Sequence, residues 1–491
     1  MEGIISSVSA NDIPVATAAK QMGLLDLSLD VLVHTMSFLQ PGDIISASKV
    51  CKPLRECGSQ RSVWMGALRR VCEQQRIFSP TFEPMVELSL LELKRAATSH
   101  LRLLAHFKRC SSKGYIPRVA TRILENSDPA SEAFENCMII PGGRFLVTCA
   151  RDIVQLWDLG INANSIIGCS AVASLKVGTE FIDAPVYCDV LAIHSTPDNQ
   201  GLRLILAVDS NQVIHQYRRY DVCEIYPLRE SEFRVVASAC IERFLTSEEY
   251  WCTENEIVIH GETAFIVWCY VSDTWIRWES NLSVSCDQLQ TCNDCIIVVA
   301  DGSIAVFAMP ALQPRVHNEP PSTISHKPMY RLSHRGEVAE SYVLSNRRCG
   351  FAPPPDEISS FIDIIHNAGG SYVLDHYVLH RIDMPGSPLP HAFPVHASEI
   401  HMPRFELGDA VNSTWISPRA TLMLYKTRSF LAARLCTLPA TEGGPVTQYP
   451  ECQMFAAGEE AYGFDYCNFA GRVCIRDNIR SNEIRVIDYL P

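Results

Sequence analysis

The sequence lacks the features that direct a chain into a membrane or out of the cell. No stretch of the 491 residues approaches the roughly eighteen consecutive apolar positions that a membrane-spanning helix needs. The first residues have no basic start followed by a compact apolar block, as a secretory signal would have. We therefore expect no membrane contact, a cytoplasmic and/or nuclear location, and a flexible tail over residues 1–22.

Motifs that carry enzyme chemistry are also missing. There is no Gly-x-Ser-x-Gly turn, no Gly-x-x-x-x-Gly-Lys-Ser/Thr phosphate loop and no His-Glu-x-x-His motif. His376 and His380 stand four residues apart without the further ligands that a zinc site requires. Cys292 and Cys295 form a Cys-x-x-Cys pair among 20 scattered cysteines, with no second pair at zinc-site spacing. We expect no catalytic residue, no metal, no cofactor, and reduced thiols.

Charge is distributed unevenly along the chain. The net charge is −13, yet residues 1–110 hold 13 Lys+Arg against 10 Asp+Glu. The remaining residues hold 29 Lys+Arg against 45 Asp+Glu, so the long C-terminal part is acidic. Because phosphate contacts need basic clusters, general nucleic-acid binding is not expected there.

The most informative stretch runs from Leu25 to Lys52. Ser28 is placed to cap a first helix, which ends where Gln40 precedes proline, and Asp43 is placed to cap a second helix. Apolar positions recur in these helices at Leu32, Met36, Leu39, Ile44, Ile45, Ala47, Val50 and Cys51. A third amphipathic helix follows, with Val63, Trp64, Ala67, Leu68 and Val71. Helices this short are marginal alone, so we expect another protein to cover the surplus apolar surface.

These residues resemble the F-box. The resemblance rests on Leu27, Asp30, Val31 and Leu32 in Leu-x-x-Asp-Val-Leu, on Leu39 followed by Pro41, and on Asp43-Ile44, Val50-Cys51-Lys52 and Trp64. The sequence departs from the family at Ser28, where proline is usual, at Thr35, where isoleucine is usual, and at Pro53. The alternative is an ordinary helical hairpin inside a larger helical domain.

The resemblance implies a three-helix F-box over residues 23–75 that docks on the Skp adaptor of a Skp–cullin–F-box ubiquitin ligase. The implied adaptor-binding residues are Leu27, Val31, Leu32, Leu39, Pro41, Ile44, Val50, Cys51, Leu54 and Trp64. Aspartate at both Leu32 and Ile44 is expected to abolish adaptor binding.

A linker and a connector helix are expected over residues 76–112. Within them, Leu88 to Cys110 is predicted to form one amphipathic helix that packs on the following region. A helix lying on a membrane surface is the alternative, but Ser, Thr and His dilute its polar face.

Residues 113–491 are predicted to form an all-β domain. Strand–turn–strand patterns turn near Asp152, Ser210, Gly261, Asp301, Asp375, Pro418 and Asn478, and the first ends in Trp157-Asp158. This resembles a WD-like β-propeller of roughly seven blades, so the fold class is α+β and multidomain. A β-sandwich array or an irregular all-β domain would give similar hairpins. Two proline-rich stretches, residues 314–328 and 350–357, are predicted to be exposed insertions.

The combination resembles F-box proteins of fungal type with a C-terminal propeller. It implies a non-catalytic substrate-recognition subunit that binds the adaptor, and through it cullin, and presents a protein substrate held by the propeller. The substrate-binding residues are unknown. Two alternatives stay open: a scaffold that binds the adaptor outside a ligase, and an enzyme built on the propeller.

The last strand, near Ile484 to Leu490, is expected to close the propeller ring by pairing with a stretch near Tyr115 to Ile123. Deleting the last eight residues should therefore leave open sheet edges and give an insoluble protein. Solubility of the full and shortened chains after expression checks this, and a fully stable shortened chain would contradict ring closure.

Overall fold

The computed structural model describes 20 stretches of the chain. They are residues 23–126, 133–178, 186–210, 217–242, 248–261, 264–279, 288–292, 295–300, 302–316, 319–333, 342–343, 361–368, 371–382, 391–402, 411–417, 420–426, 431–437, 446–454, 463–476 and 482–490. The chain divides into two compact units, residues 1–67 and 68–491. Each is described by itself below.

The predicted order, N-terminal helices and then an all-β region, is confirmed. The helices are α1 (Leu29–Ser37), α2 (Pro41–Ala47), α3 (Lys52–Cys57), α4 (Arg61–Gln74), α5 (Leu90–Ala97) and α6 (Ser99–Cys110). The second helix begins at Pro41 with Gln40 as N-cap, and not after Asp43, because proline's fixed φ suits the first helical turn. For the same reason Lys52-Pro53 opens the extra short helix α3 instead of only ending α2.

The predicted single connector helix from Leu88 to Cys110 is wrong, because the structure breaks it at Thr98. The Thr98 hydroxyl donates to the Lys94 carbonyl at 2.7 Å, and the neighbouring Ser99 hydroxyl donates to the Phe469 carbonyl. Such side-chain bonds compete with the helical backbone ladder. The result is two helices, of which α5 starts with a capping box between Ser89 and Glu92.

Seven sheets form a seven-bladed β-propeller, which confirms the predicted fold. Blade 1 contains β2 (Asn136–Ile139), β3 (Phe145–Ala150), β4 (Ile153–Asp158) and β5 (Ala173–Lys176). Blade 2 contains β6 (Val186–Ser195), β7 (Leu202–Ser210), β8 (Tyr217–Ile225) and β9 (Arg234–Glu242). Blade 3 contains β10 (Glu249–Cys252), β11 (Glu256–His260), β12 (Ala264–Cys269) and β13 (Thr274–Glu279).

The remaining blades follow in chain order. Blade 4 contains β14 (Gln288–Cys292), β15 (Cys295–Ala300), β16 (Ser303–Ala308) and β19 (Tyr330–Ser333). Blade 5 contains β20 (Tyr342–Val343), β21 (Phe361–Ala368), β22 (Ser371–Ile382) and β23 (His391–Met402). Blade 6 contains β24 (Val411–Ser417), β25 (Ala420–Lys426), β26 (Leu431–Thr437), β27 (Thr447–Gln448) and β28 (Cys452–Gln453). Blade 7 contains β1 (Ala120–Glu125), β29 (Gly463–Cys467), β30 (Arg472–Arg476) and β31 (Glu483–Asp488).

Six of the seven predicted hairpins are present, and the one predicted to turn near Asp375 is wrong. Asp375 lies in the middle of β22, which continues to Ile382. Its carboxylate is only 2% exposed and lies 3.1 Å from His396 Nε2 and 3.5 Å from His366 Nδ1. Partners from neighbouring strands therefore accommodate an acidic residue that, by sequence alone, is typical of a turn.

The first proline-rich insertion is exposed as predicted, but it also adds strands. Its segments β17 (Gln313–Pro314) and β18 (Thr323–Ser325) leave blade 4 and pair with β13, the outer strand of blade 3. They cover an edge that would otherwise present free backbone groups. The second insertion, residues 350–357, lies outside the described residues.

The predicted ring closure is confirmed by the pairing of β1 with β31. The two strands run antiparallel from Ala120 opposite Asp488 to Glu125 opposite Glu483. Asp488, 2% exposed, receives Arg122 Nη2 at 2.7 Å and Arg472 Nε at 2.6 Å. Both arginines also donate to blade 1 carbonyls, including Leu159 at 2.6 Å and Gly160 at 2.9 Å. This cluster fastens the last blade to the first.

The segment after α4 packs on the propeller within the second unit. Leu103, Phe107 and Cys110 of α6 lie in one apolar core with residues of blades 6 and 7. Arg144 of blade 1 donates to the Glu83 carbonyl at 2.8 Å while pairing with Asp158 at 2.9 Å. The stretch predicted as a linker is therefore a packed part of this unit.

Asp488→Asn tests the closing cluster, because it leaves the buried Arg472 without its ionic partner. Removing one partner of a buried ion pair typically costs about 3–5 kcal/mol. We expect a matching fall in the guanidinium midpoint of the propeller. Glu242→Gln is the matched control, since Glu242 pairs with Arg277 while 51% exposed and should change stability by less than about 1 kcal/mol. Equal stability of both variants would contradict the role of Asp488.

Candidate adaptor-docking surface

The first unit holds a small apolar core made by four helices. The buried side chains come from α1 (Leu32, Met36), α2 (Pro41, Ile44), α3 (Leu54, Cys57) and the start of α4 (Val63, Trp64). Trp64 Nε1 donates to the Gly58 carbonyl at 2.7 Å, so the indole has its polar partner inside the core. A Cβ at Gly58 would lie 2.0 Å from Ser48 Oγ, so a larger residue there would force the Ser48 side chain to move.

The ten predicted docking residues fall into two groups. Leu32, Pro41, Ile44, Leu54 and Trp64 are buried in the core. Leu27, Leu39 and Cys51 are half-buried, whereas Val31 is 42% and Val50 74% exposed. The five buried residues belong to the core of the unit, and the other five are accessible to a partner. The docking role of all ten stays a prediction.

Several exposed apolar side chains were not among the predicted docking residues. They are Leu24, Leu25, Leu29, Phe38 and Ile45, each between 38% and 65% exposed. Together with Val31 and Val50 we call them the apolar surface. A signal for them exists in the sequence: Val31 and Phe38 form a second stripe on α1, beside the stripe of Leu32 and Met36 that fills the core. Exposed apolar side chains in this number on one small helical unit are candidates for contact with a partner protein.

Two departures from the F-box pattern have local explanations. Ser28 is the N-cap of α1, but its hydroxyl does not cap a backbone N–H as predicted. It instead bonds to the carboxyl of Asp30, which lowers the pKa of that group. Thr35 is exposed, and its hydroxyl donates to the Val31 carbonyl at 2.8 Å. Both polar side chains are thus satisfied within α1.

Aromatic and histidine candidates on the propeller are structural where the structure describes them. Trp275 and Trp278 are 7% and 0% exposed, so both indoles pack inside the propeller and do not line an open aromatic pocket. His376 is buried with Nδ1 2.7 Å from Asp363, while the side chains of His380 and Cys292 lie outside the described residues. Within the described ranges no cluster of three metal-ligating groups is found.

The adjacent arginines of blade 2 are already neutralised. Arg218 pairs with Asp209 and, at 2.9 Å, with Glu248, and Arg219 pairs with Asp221 at 2.8 Å. Carboxylates thus occupy the positions that a bound phosphate would take. The other adjacent pair, Arg347-Arg348, lies outside the described residues.

Residues 24–65 match the F-box domain family model. The solved structures found include the WD40 domain of SCAP from fission yeast (9% identity, 73% of this chain and 82% of that chain, TM-score 0.39). Also found are Drosophila Semaphorin 1a, extracellular domains 1-2 (9%, 76% and 88%, 0.40) and Kluyveromyces lactis Hsv2 (8%, 66% and 100%, 0.31).

A search of the curated proteins finds no match. The structural likenesses are too distant to carry an argument, so the propeller assignment rests on the strand pairing itself. The chain carries an F-box domain at residues 24–65 followed by a seven-bladed β-propeller. Nothing in the comparisons bears on a fungal type. In the part of the chain that the structure describes, no helix is long and apolar enough to span a membrane.

The burial pattern predicts two different consequences of adding charge to the F-box. Leu32→Asp with Ile44→Asp puts carboxylates at positions 4% and 0% exposed, so helices α1 to α3 should unfold. Phe38→Asp with Val50→Asp alters positions 65% and 74% exposed and should leave the fold intact. Hydrogen–deuterium exchange over residues 23–67 of the full chain distinguishes them. Equal protection in both variants would contradict the division into core and surface.

Proposed function

We propose that this protein is the substrate-recognition subunit of a Skp–cullin–F-box ubiquitin ligase. F-box domains generally bind the Skp adaptor, and propellers bind protein partners. In this proposal the F-box docks on the adaptor, and through it on cullin, while the propeller holds a protein substrate. The protein would act in the cytoplasm or the nucleus, and its substrate would then be degraded in a ubiquitin-dependent manner.

The observation that carries the adaptor proposal is the apolar surface. Seven large apolar side chains of one small helical unit are at least 38% exposed. Burying side chains of this kind contributes roughly 1.5–3 kcal/mol each, which is enough to offset the cost of association when several are covered. A surface of this kind gains stability when an apolar partner covers it.

The contribution to ubiquitin transfer would be positional. A receptor that holds its substrate in the same complex as the conjugating enzyme raises the effective concentration of substrate lysines. F-box and propeller architecture is typical of non-catalytic adaptors, and no described cluster of side chains favours a propeller enzyme. A scaffold outside the ligase remains the second possibility, and stabilisation of the substrate on deletion of the gene separates it from a receptor.

Recognition at blade 2 would not depend on substrate phosphorylation. The paired state of Arg218 and Arg219 supports this, because a phosphate would have to displace Asp209, Glu248 and Asp221. We therefore do not expect Arg218 and Arg219 to read a phosphate group.

Co-expression with the Skp adaptor followed by size-exclusion chromatography tests the proposal. The full chain should elute with the adaptor at one to one, and Phe38→Asp with Val50→Asp should abolish co-elution because docking would then desolvate two carboxylates. Unlike the Leu32/Ile44 variant, this one reports docking without unfolding the core.

The matched control places the same charges on the other unit. Ile166 and Val271 are 93% and 62% exposed on the propeller, so Ile166→Asp with Val271→Asp should co-elute like the unaltered chain. A soluble chain that ignores the adaptor, or loss of co-elution in both variants alike, would overturn the docking assignment.

A further inference from the structure

Helices α5 and α6 carry a concentration of positive charge that the adaptor proposal does not use. Residues 89–118 contain seven Lys+Arg and one carboxylate, Glu92. Residues 119–491 contain 27 Lys+Arg against 45 Asp+Glu, so this basic segment is packed on an acidic domain. Charge segregated in this way concentrates the local electrostatic potential and selects oppositely charged partners.

Four positive groups and one histidine share one face of the helices. Arg102, His106, Arg109 and Lys113 follow each other at intervals of four, three and four residues, which places them on one side of α6 and its last turn. Arg95 of α5 acts electrostatically on Arg102. We call these five residues the basic face.

The side of α6 that lies about a quarter turn from the basic face is fixed to the propeller. Leu103 and Phe107 are 0% and 1% exposed in the core shared with blades 6 and 7, and the Ser99 hydroxyl donates to the Phe469 carbonyl. The exposed members of the basic face, Arg95, Arg109 and Lys113, are therefore carried by helices that are packed on the propeller, while Arg102 and His106 are half-buried beside that core. A partner would meet the basic face preorganised, at little cost in conformational entropy.

Repulsion within the basic face is visible in its pKa values. Burial lowers the pKa of His106, and Arg109, Arg102 and Lys113 lower it further. Burial, and then Arg95, lower the pKa of Arg102. Every charged neighbour that shifts these two groups is positive. Among the described residues, no ion pair joins Arg109 or Lys113 to a carboxylate. Glu92 is the acidic neighbour of Arg95, and the Ser89 hydroxyl at 2.7 Å and then Arg95 lower the pKa of Glu92.

Exposed apolar side chains lie beside the basic face. Leu91 of α5 is 57% exposed and Leu101 of α6 is 39% exposed. A partner that matched this surface would need apolar residues between its charges, because a purely anionic ligand would leave both leucines in water.

The extent of the surface favours a short peptide. Helix α6 has 12 residues, so it is about 18 Å long. A nucleic-acid duplex or an anionic membrane extends much further, and would bring its own charge against the acidic propeller within the screening length of about 8 Å. A peptide segment can cover the basic face without that repulsion.

We propose that the outward face of α5 and α6 is a docking surface, separate from the F-box, for a short acidic segment of another protein in which carboxylates alternate with apolar side chains. This surface is independent of the adaptor proposal. It would give the propeller unit a second protein contact on its helical side.

The test is a fluorescence anisotropy titration of the full chain with a labelled peptide of repeated Glu-Glu-Leu. The variant Arg95→Glu with Arg109→Glu and Lys113→Glu reverses three exposed charges while keeping residues of similar helix propensity. Three lost charge contacts should weaken binding by at least about tenfold. Affinity for the unaltered chain should also fall between about 50 and about 300 mM salt.

Arg229→Glu with Lys327→Glu and Arg331→Glu is the matched control, because it makes the same change of net charge at exposed propeller positions. It should bind the peptide within about twofold of the unaltered chain, since its sites lie off the basic face. Thermal unfolding confirms that each variant is folded. If the triple reversal unfolds, Arg109→Gln with Lys113→Gln replaces it.

Three results would overturn the proposal. The first is no binding of the peptide, and the second is equal weakening in both triple variants, which would show unspecific attraction. The third is tighter binding of duplex DNA, or of a phosphatidylserine vesicle, that is lost in the same variant. A peptide with serine for leucine that binds as tightly would overturn the part of the proposal that concerns the apolar residues.

Discussion

The propeller depends on one buried carboxylate. Asp488 lies between Arg122 and Arg472 at 2.7 and 2.6 Å, and both guanidinium groups continue to carbonyls of blade 1. Each blade buries its faces against two neighbours, so a ring left open would expose two apolar faces and unpaired strand edges. The strand pairing of β1 with β31 supplies backbone bonds for closure, and the ion cluster fixes where the last blade meets the first. Because the three charges are almost fully buried, they are stable only together.

The two units use apolar residues in opposite ways. Inside the propeller, strands such as β15 are buried at every position, because neighbouring blades of the closed ring cover each other's faces. The F-box unit is too small to bury all of its apolar residues, so Phe38 and Val50 stay 65% and 74% exposed. The same chemistry therefore produces a self-sufficient domain in one unit and a surface that favours association in the other.

Much of the fold could be predicted from local sequence patterns. The hairpins, the closing strand and the F-box helices follow from alternation, turn residues and helical periodicity. The wrong predictions concern positions whose secondary structure depends on residues elsewhere in the sequence. Thr98 breaks the connector beside Ser99, whose hydroxyl is held by Phe469, and Asp375 stays in a strand because His366 and His396 surround it. Likewise, the assignment of Leu32 and Ile44 to the core depends on α3, which is not predicted from the sequence. Pro53 in the sequence indicates that the second helix ends, whereas in the structure it lies in the first turn of α3.

The pairing of β1 with β31 has a consequence for biosynthesis. The first strand of the ring, β1, is made before blade 1, and its partner β31 is made only after blades 1 to 6. Until β31 has been made, blade 7 lacks the strand that pairs with both β1 and β30, and the ring of blades stays open. Contacts between such distant segments form slowly and leave intermediates open to aggregation. The F-box, whose contacts are all local, can be complete while the propeller is still being translated, so the two units mature at different times.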